Sequence, residues 1–439
     1  MAIGSTSLGS VSLGGSQGTT AGASSVTKTL QAIWDINYVA APWWNSSWLR
    51  RRAIEFDNTA NAEELTNFPT LVKLDSTRIT YADTLTAGAD IRFVYYDGAT
   101  STELKYEIEE WNASGTSIVW VKLPTVLASK FTVFYVYYKN SGASDAQDAA
   151  NVWSNGYEAV YHFKETTSTY SDSTGNGHTS AAIVGSLTRG TEGSLGLGNC
   201  PGFSGTTPGG MFIPIANTPA WTAVGGATDN YSYCIEAFVK WANSGDIMST
   251  GTGGITTGYP VVAKGYGEAD GSATADVQFN LSIAQTTGYP GIDFEDYRYA
   301  SNNNAPSVSS TGIGTSSARH IAGVLEGIAA GTSAQHKLYL RGSLTSNVTL
   351  PATPQQGVQP TLSAHRVCIG AAEQTNGTTR DGQFNGYIDE VRISHVARTA
   401  AWVACTSSSL EDAVESYNTE ENAPAASSVN IVLAVICNC

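Results

Sequence analysis

Between residues 45 and 140, apolar and polar positions alternate with a period of two in short runs: RRAIEFDN, TLVKLD, IRFVYYDG, ELKYEIEEW, SIVWVKLP and FTVFYVYYKN. In WVKLP, Trp120 and Lys122 alternate with Val121 and Leu123. Asn, Asp, Gly and Pro punctuate the runs, which marks them as short strands joined by tight turns. No helix of ordinary length is needed, so this stretch predicts a small antiparallel β-sandwich. A second series follows in residues 151–405, with YSYCIEAFVKW, VQFNLSIA, HKLYLRGSL and FNGYIDEVRIS among its strand-like runs. The fold class expected is all-β: a small sandwich, then a larger one, with extended N- and C-terminal arms.

The pattern also divides the chain. Residues 1–44 form an arm or assembly segment, 45–140 the first sandwich, 141–151 a linker, 152–405 the second sandwich, and 406–439 an acidic linker with a C-terminal strand. The segment SGASDAQDAAN is small, polar and turn-forming, as a linker should be. Residues 1–28 are rich in Gly, Ser and Thr, but Trp34, Trp43 and Trp44 follow and would be costly to leave in water. The run VNIVLAVIC is an apolar strand that needs a partner. Both arms are expected to pair with neighbouring subunits in a homo-oligomer.

Composition narrows the setting. Charged residues make up 14% and the net charge is −15, so there is no basic footprint for nucleic acid. The 45 glycines, with abundant Ser, Thr and Asn, suit a hydrated, weakly charged extracellular surface. The first residues carry neither a positive n-region nor an apolar h-region, and no run is long enough to insert in a membrane. A virion component, made in a host cytoplasm and working outside, reconciles these features. The six cysteines show no zinc spacing, and Cys200, Cys234, Cys368 and Cys405 are expected as buried free thiols.

Specific strings carry two resemblances. Trp48–Ile54 (WLRRRAI), Asp90–Phe93 (DIRF), Ile108–Trp111 (IEEW), Trp120–Lys122 (WVK) and Tyr137–Asn140 (YYKN) resemble, in order, the family catalogued as DUF2341. That resemblance implies a β-sandwich module often found beside lectin-like domains, and no known activity. Asp172–Gly177 (DSTGNG), Ile235–Trp241, Arg319–Gly323, Leu338–Gly342 and Phe384–Ile393 (FNGYIDEVRI) resemble the laminin-G-like, concanavalin-type jelly roll. Arg341 departs from it, standing where that family often has Asp before the turn glycine. The resemblance implies a lectin-like domain and a calcium ion, for which Asp172, Asn176 and Asp389 are the matching positions. Hard cations take carboxylate and carbonyl oxygens together. The alternative is that Asp172 and Asn176 only make Asx turns.

Other constellations point away from catalysis. Glu107, Glu109 and Glu110 in YEIEEW do not have the acid spacing of jelly-roll glycosidases, and Glu107 with Glu109 reads as one solvated strand face. No Ser/His/Asp order, nucleophile elbow or phosphate loop is present, and the histidines, including His162, read as structural. Tyr297, Tyr299, Asn302 and Asn303, on one loop, combine aromatic faces with amide hydrogen bonding and are the expected glycan contacts. The expectation is therefore a non-enzymatic virion surface protein, an adhesin, fibre or decoration, that binds glycans on a host cell. The alternatives are a purely structural or cementing virion or filament protein, and an accessory binding module of a secreted glycosidase system.

Overall fold

A computed structural model of the chain describes residues 41–424 except 168, 186, 191–194, 206–212, 215–231, 249–254, 256–257, 266–276, 287–288, 297–305, 309–310, 328–333, 350–365 and 374–379. The described residues from Trp43 onward form one compact unit. The described strands are all antiparallel, as the alternation predicts.

The first sandwich contains β1 (Arg50–Asp57), β2 (Leu65–Leu74), β3 (Arg92–Tyr96), β4 (Ser101–Glu103), β5 (Tyr106–Glu110), β6 (Ser117–Val126) and β7 (Phe131–Tyr138). The runs that alternate in the sequence are these strands. After it comes a short helix, α1 (Ala149–Val152), capped by Asp148.

The second sandwich begins with β8 (Tyr157–Tyr161), β9 (Gly202–Ser204), β10 (Ile213–Pro214), β11 (Tyr233–Asp246), β12 (Gly258–Gly265), β13 (Val277–Thr286), β14 (Tyr289–Asp296) and β15 (Pro306–Val308). It continues with β16 (Arg319–Glu326), β17 (Gln335–Leu340), β18 (Ser343–Thr349), β19 (Val367–Ile369), β20 (Ala372–Glu373), β21 (Arg380–Asp381) and β22 (Gln383–Ser394). One of its sheets runs β18-β17-β16-β11-β22-β8, and the other β10-β19-β12-β13-β14-β15. Their facing side chains, among them Trp241, Leu281, Ile321 and Ile388, form one core. At the β17–β18 turn, Arg341 and Gly342 are both left-handed, with φ of 52° and 73°. Asp would tolerate that left-handed geometry better than Arg does.

The stretch expected as an acidic linker is instead ordered structure. Helix α2 (Ala400–Leu410), capped by Thr399, lays Trp402 edge-on against Phe68 of β2. Strand β23 (Glu415–Asn422) then pairs with β1, giving a sheet of order β23-β1-β7-β3-β4 opposite β2-β6-β5. Strand β23 thus completes the first sandwich. Trp43 and Trp44 are covered by their own chain, packing on Tyr137 with ring centroids 5.4 and 5.6 Å away. Trp34 and the 429–436 run lie outside the described residues.

Cys200, Cys234, Cys368 and Cys405 are buried, and among the described residues no disulfide joins them. The first sandwich's core does not stop at its own strands. It continues through Trp153, Val160, Cys200 and Phe238, so the outer face of the β11-β22-β8 sheet is buried against the first sandwich.

Candidate functional site at the junction of the sandwiches

A strand normally buries one face of its sheet, and β22 buries both. Ile388, Val391 and Ile393 point into the second core, while Asp389, Glu390 and Arg392 are buried on the other side. A register shift against β11 falls between Asp389 and Arg392, and Glu390 has φ of 49°. This β-bulge inserts one residue, which lets two consecutive acids turn away from the same core. On β8, Tyr161 goes into the second core and His162 follows it toward the first sandwich, with Phe163 left-handed at φ 54°. Left-handed backbone at a bulky residue is an outlier held by its surroundings.

From the first sandwich, β5 contributes Glu107 and Glu109, which are 4% and 6% exposed. They are not the solvated face expected of them, because the second sandwich covers that face. His162 is the hub. Its Nδ1 lies 2.7 Å from Glu390 Oε1 and 3.5 Å from Glu109 Oε2, and its Nε2 lies 3.3 Å from Glu107 Oε2. Its ring stacks on Trp120 at 5.6 Å. The indole N–H of Trp120 donates to Glu109 Oε2 at 2.9 Å, and that of Trp153 to Glu107 Oε2 at 2.8 Å. Arg392 donates to Glu390 Oε2 at 2.8 Å. Polar groups this deep must be partnered: His162, Glu107 and Glu109 find partners on other elements, and Glu390 and Arg392 pair within β22.

The charges are set by this enclosure. Burial works against ionisation of Glu107, but His162, Lys164 and the Trp153 N–H outweigh it and hold the acid at about 2. Burial, and then the nearby Glu390, push Glu109 well up. Burial, with Glu390 and Glu109, does the same to Asp389. Burial opposes the charge on Glu390 too, yet His162 and Arg392 keep it low. Burial also opposes a charged His162, and the surrounding carboxylates prevail and raise it well above its ordinary value.

Above the cluster opens a cleft of about 370 Å³. Glu107 and α1 form one wall, His162, Lys164 and Glu165 another, and the loop Ser171–Gly175 the third. Lys164 Nζ is 3.6 Å from Glu107 Oε1, and the Ser173 hydroxyl donates to the same oxygen at 2.9 Å. The floor is buried and hydrogen-bonded, and the rim offers an ammonium, hydroxyls and carboxylate oxygens.

The expected calcium positions do different things. Asp172 Oδ1 accepts from the backbone N–H of Val160 and Thr174, and Oδ2 from that of His178, while the Thr174 hydroxyl bonds to both oxygens. Asn176 Nδ2 donates to the carbonyls of Tyr157 and Glu158. These two residues build the loop, and a calcium ion there would compete with the loop's own donors. Asp389 belongs to the buried cluster, where its Oδ1 accepts from the Glu390 N–H at 2.9 Å. The expected glycan contacts Tyr297, Tyr299, Asn302 and Asn303 lie outside the described residues. Sequence reasoning missed Glu109, His162, Glu390 and Arg392 as one group. The available signal was IDEVRIS, where two acids and an arginine interrupt an apolar strand.

No curated protein matches the chain. Among solved structures, domain 4 of AbnA, a GH43 extracellular arabinanase from Geobacillus stearothermophilus in complex with arabinotriose, is similar at 18% identity and a TM-score of 0.35, over 57% of this chain and 98% of that one. A botulinum neurotoxin type C structure, described by cell entry dependent upon two ganglioside molecules, is similar at 9% identity and a TM-score of 0.39, over 59% of this chain and 52% of the other. The binding domain of Paraclostridial Mosquitocidal Protein 1 is similar at 11% identity and a TM-score of 0.38, over 58% and 52%. The chain spans about half the length of these two toxin structures. A family profile matches later in the chain than the strings from Trp48 to Asn140 suggest, and it crosses from one sandwich into the other. Residues 87–179, which carry Glu107, Glu109, Trp120, Trp153, His162 and Asp172, match the family DUF2341, a domain of unknown function.

Proposed function

We propose that this chain is a non-catalytic glycan-binding protein of a virion surface, and that saccharide hydroxyls dock in the cleft between its two sandwiches. The observation that carries the reading is the cleft itself, a recess of about 370 Å³ in which Lys164, Glu165, Ser171 and Ser173 present donors and acceptors over a buried floor. Polyols are held by such convergent hydrogen bonding on a preformed surface. The non-catalytic part rests on the state of the acids: Glu107 is fixed by Trp153, Ser173 and His162, and Glu109 and Glu390 lie beneath the floor. The virion setting is supported by the weakly charged composition, with 14% charged residues and 45 glycines.

A glycan array with the full chain tests this, alongside Lys164→Ala and Glu165→Ala. Binding to a defined glycan class that falls about tenfold or more in these variants is expected, roughly the loss of one charged hydrogen bond. Absence of binding to any glycan at millimolar concentration would leave the purely structural reading, which the closure of the first sandwich by β23 favours. Turnover of a polysaccharide abolished by Glu107→Gln would overturn the non-catalytic part.

A further inference from the structure

We propose that Glu109, Glu390 and the Nδ1 atom of His162 form a binding site for one first-row divalent cation, of the zinc or manganese type, buried beneath the cleft. It stands whether or not the cleft above takes a sugar. One donor atom from each of the three residues lies within 4.8 Å of the other two. Bonds of about 2.0–2.2 Å to a central ion need Nδ1 and Glu390 Oε1, 2.7 Å apart, to open slightly around it, while Glu109 Oε2, 3.5 Å from Nδ1, already has the spacing of a shared ion.

The surroundings of each ligand are those a metal site requires. A ligating histidine donates its second ring N–H to a carboxylate, and Nε2 of His162 faces Glu107 Oε2 at 3.3 Å. Glu109 Oε2 is held by the Trp120 N–H, and Glu390 Oε2 by Arg392. Two further oxygens, Glu109 Oε1 and Asp389 Oδ2, are buried with no hydrogen-bond partner. Their residues are only 6% and 0% exposed, so these are acceptors awaiting a cation or a proton.

Glu107, Glu109, Asp389 and Glu390 are all nine-tenths or more buried beside Arg392 and His162. Protons held by the ligand atoms, His162 Nδ1 among them, leave to solvent as the ion binds. One imidazole with carboxylates suits zinc, manganese or iron, and does not suit soft ions. His162 lines the cleft, which gives the ion its way in.

The test uses the full chain stripped with a chelator, then titrated with zinc or manganese chloride by calorimetry. One ion per chain is expected, with a rise in melting temperature. Glu109→Gln and Glu390→Gln should abolish binding. Trp120→Phe should weaken it about 10- to 100-fold, as loss of an outer hydrogen bond does. Should these buried variants fail to fold, an anomalous difference map of zinc-soaked wild-type crystals decides: a peak among Glu109, His162 and Glu390 supports the site. A peak only elsewhere, no stoichiometric binding by the stripped wild type, or binding of calcium without zinc or manganese would each overturn it.

Discussion

The guanidinium of Arg392 lies 4.4 Å over the ring of Trp120, so a cation on the last long strand of the second sandwich is stacked on an indole of the first. Arg392 is 1% exposed and also donates to Glu390. Arg392→Met keeps volume but leaves that carboxylate without its guanidinium, and removing one partner of a buried pair costs about 3–5 kcal/mol. Urea unfolding should show a loss of that order. A loss under about 1 kcal/mol would mean that the stack is incidental.

Trp153 joins the sandwiches from the C-terminal end of α1. Its indole donates to Glu107 at 2.8 Å, while its ring packs on Trp120 and Tyr157. Trp153→Phe retains an aromatic ring and removes the donor. A hydrogen bond to a charged group is worth about 1.5–3 kcal/mol, and the variant should lose stability in that range. The same denaturant midpoint as wild type would show Glu107 to be satisfied without it.

Glu415 gives a pH dependence. Burial pushes it up to about 8, against the hydroxyls of Thr70 and Ser409 that bond to its Oε1, while Asp412 adds to the rise. The folded state therefore holds a proton that the unfolded state gives up above its ordinary value of 4.5. The contribution of Glu415 to stability falls as pH rises from about 4.5 to about 8, and is level outside that window. Glu415→Gln, which mimics the protonated acid, should match wild type near pH 5 and exceed it near pH 8. Equal stability curves for the two proteins would contradict the shift.

Gly386 sits in β22 at φ 130°, and a Cβ there would lie 2.1 Å from the Lys240 carbonyl oxygen. Neither backbone can yield without breaking the β11–β22 ladder. Gly386→Ala combines a clash with a forbidden conformation, and about 3 kcal/mol or more is expected in thermal or urea unfolding. Soluble protein with an unchanged midpoint would rule the close approach out.

The strands were legible because their alternation is local, and each predicted run of the first sandwich became a strand. What covers the strands was not. Glu107 and Glu109 alternate with Ile108 as a solvated face would, yet Ile108 is the more exposed of the three neighbours. Alternation separates two faces and cannot name the surface that lies on either. The junction draws on β5, β6, α1, β8 and β22, segments far apart in the chain, so no window of sequence contains it. The bulge at Glu390 is equally silent, since it depends on the register with β11. The tail after Leu410 misled for a related reason. Its strand SYNTEEN is polar enough to pass for a linker, because pairing along an edge needs backbone and not apolar side chains.

Strand β23 meets β1 across 370 residues, as the contact of Arg51 with Glu421 marks. During synthesis β1 thus leaves the ribosome well before the strand that covers its flank. At about 5–20 residues per second, β1 waits roughly 20 to 75 s with one flank open before its neighbour exists. Whatever shields that flank in the interval, a chaperone or the charged Arg50, Arg51 and Arg52 on the strand itself, governs how much of the newborn protein reaches its native form.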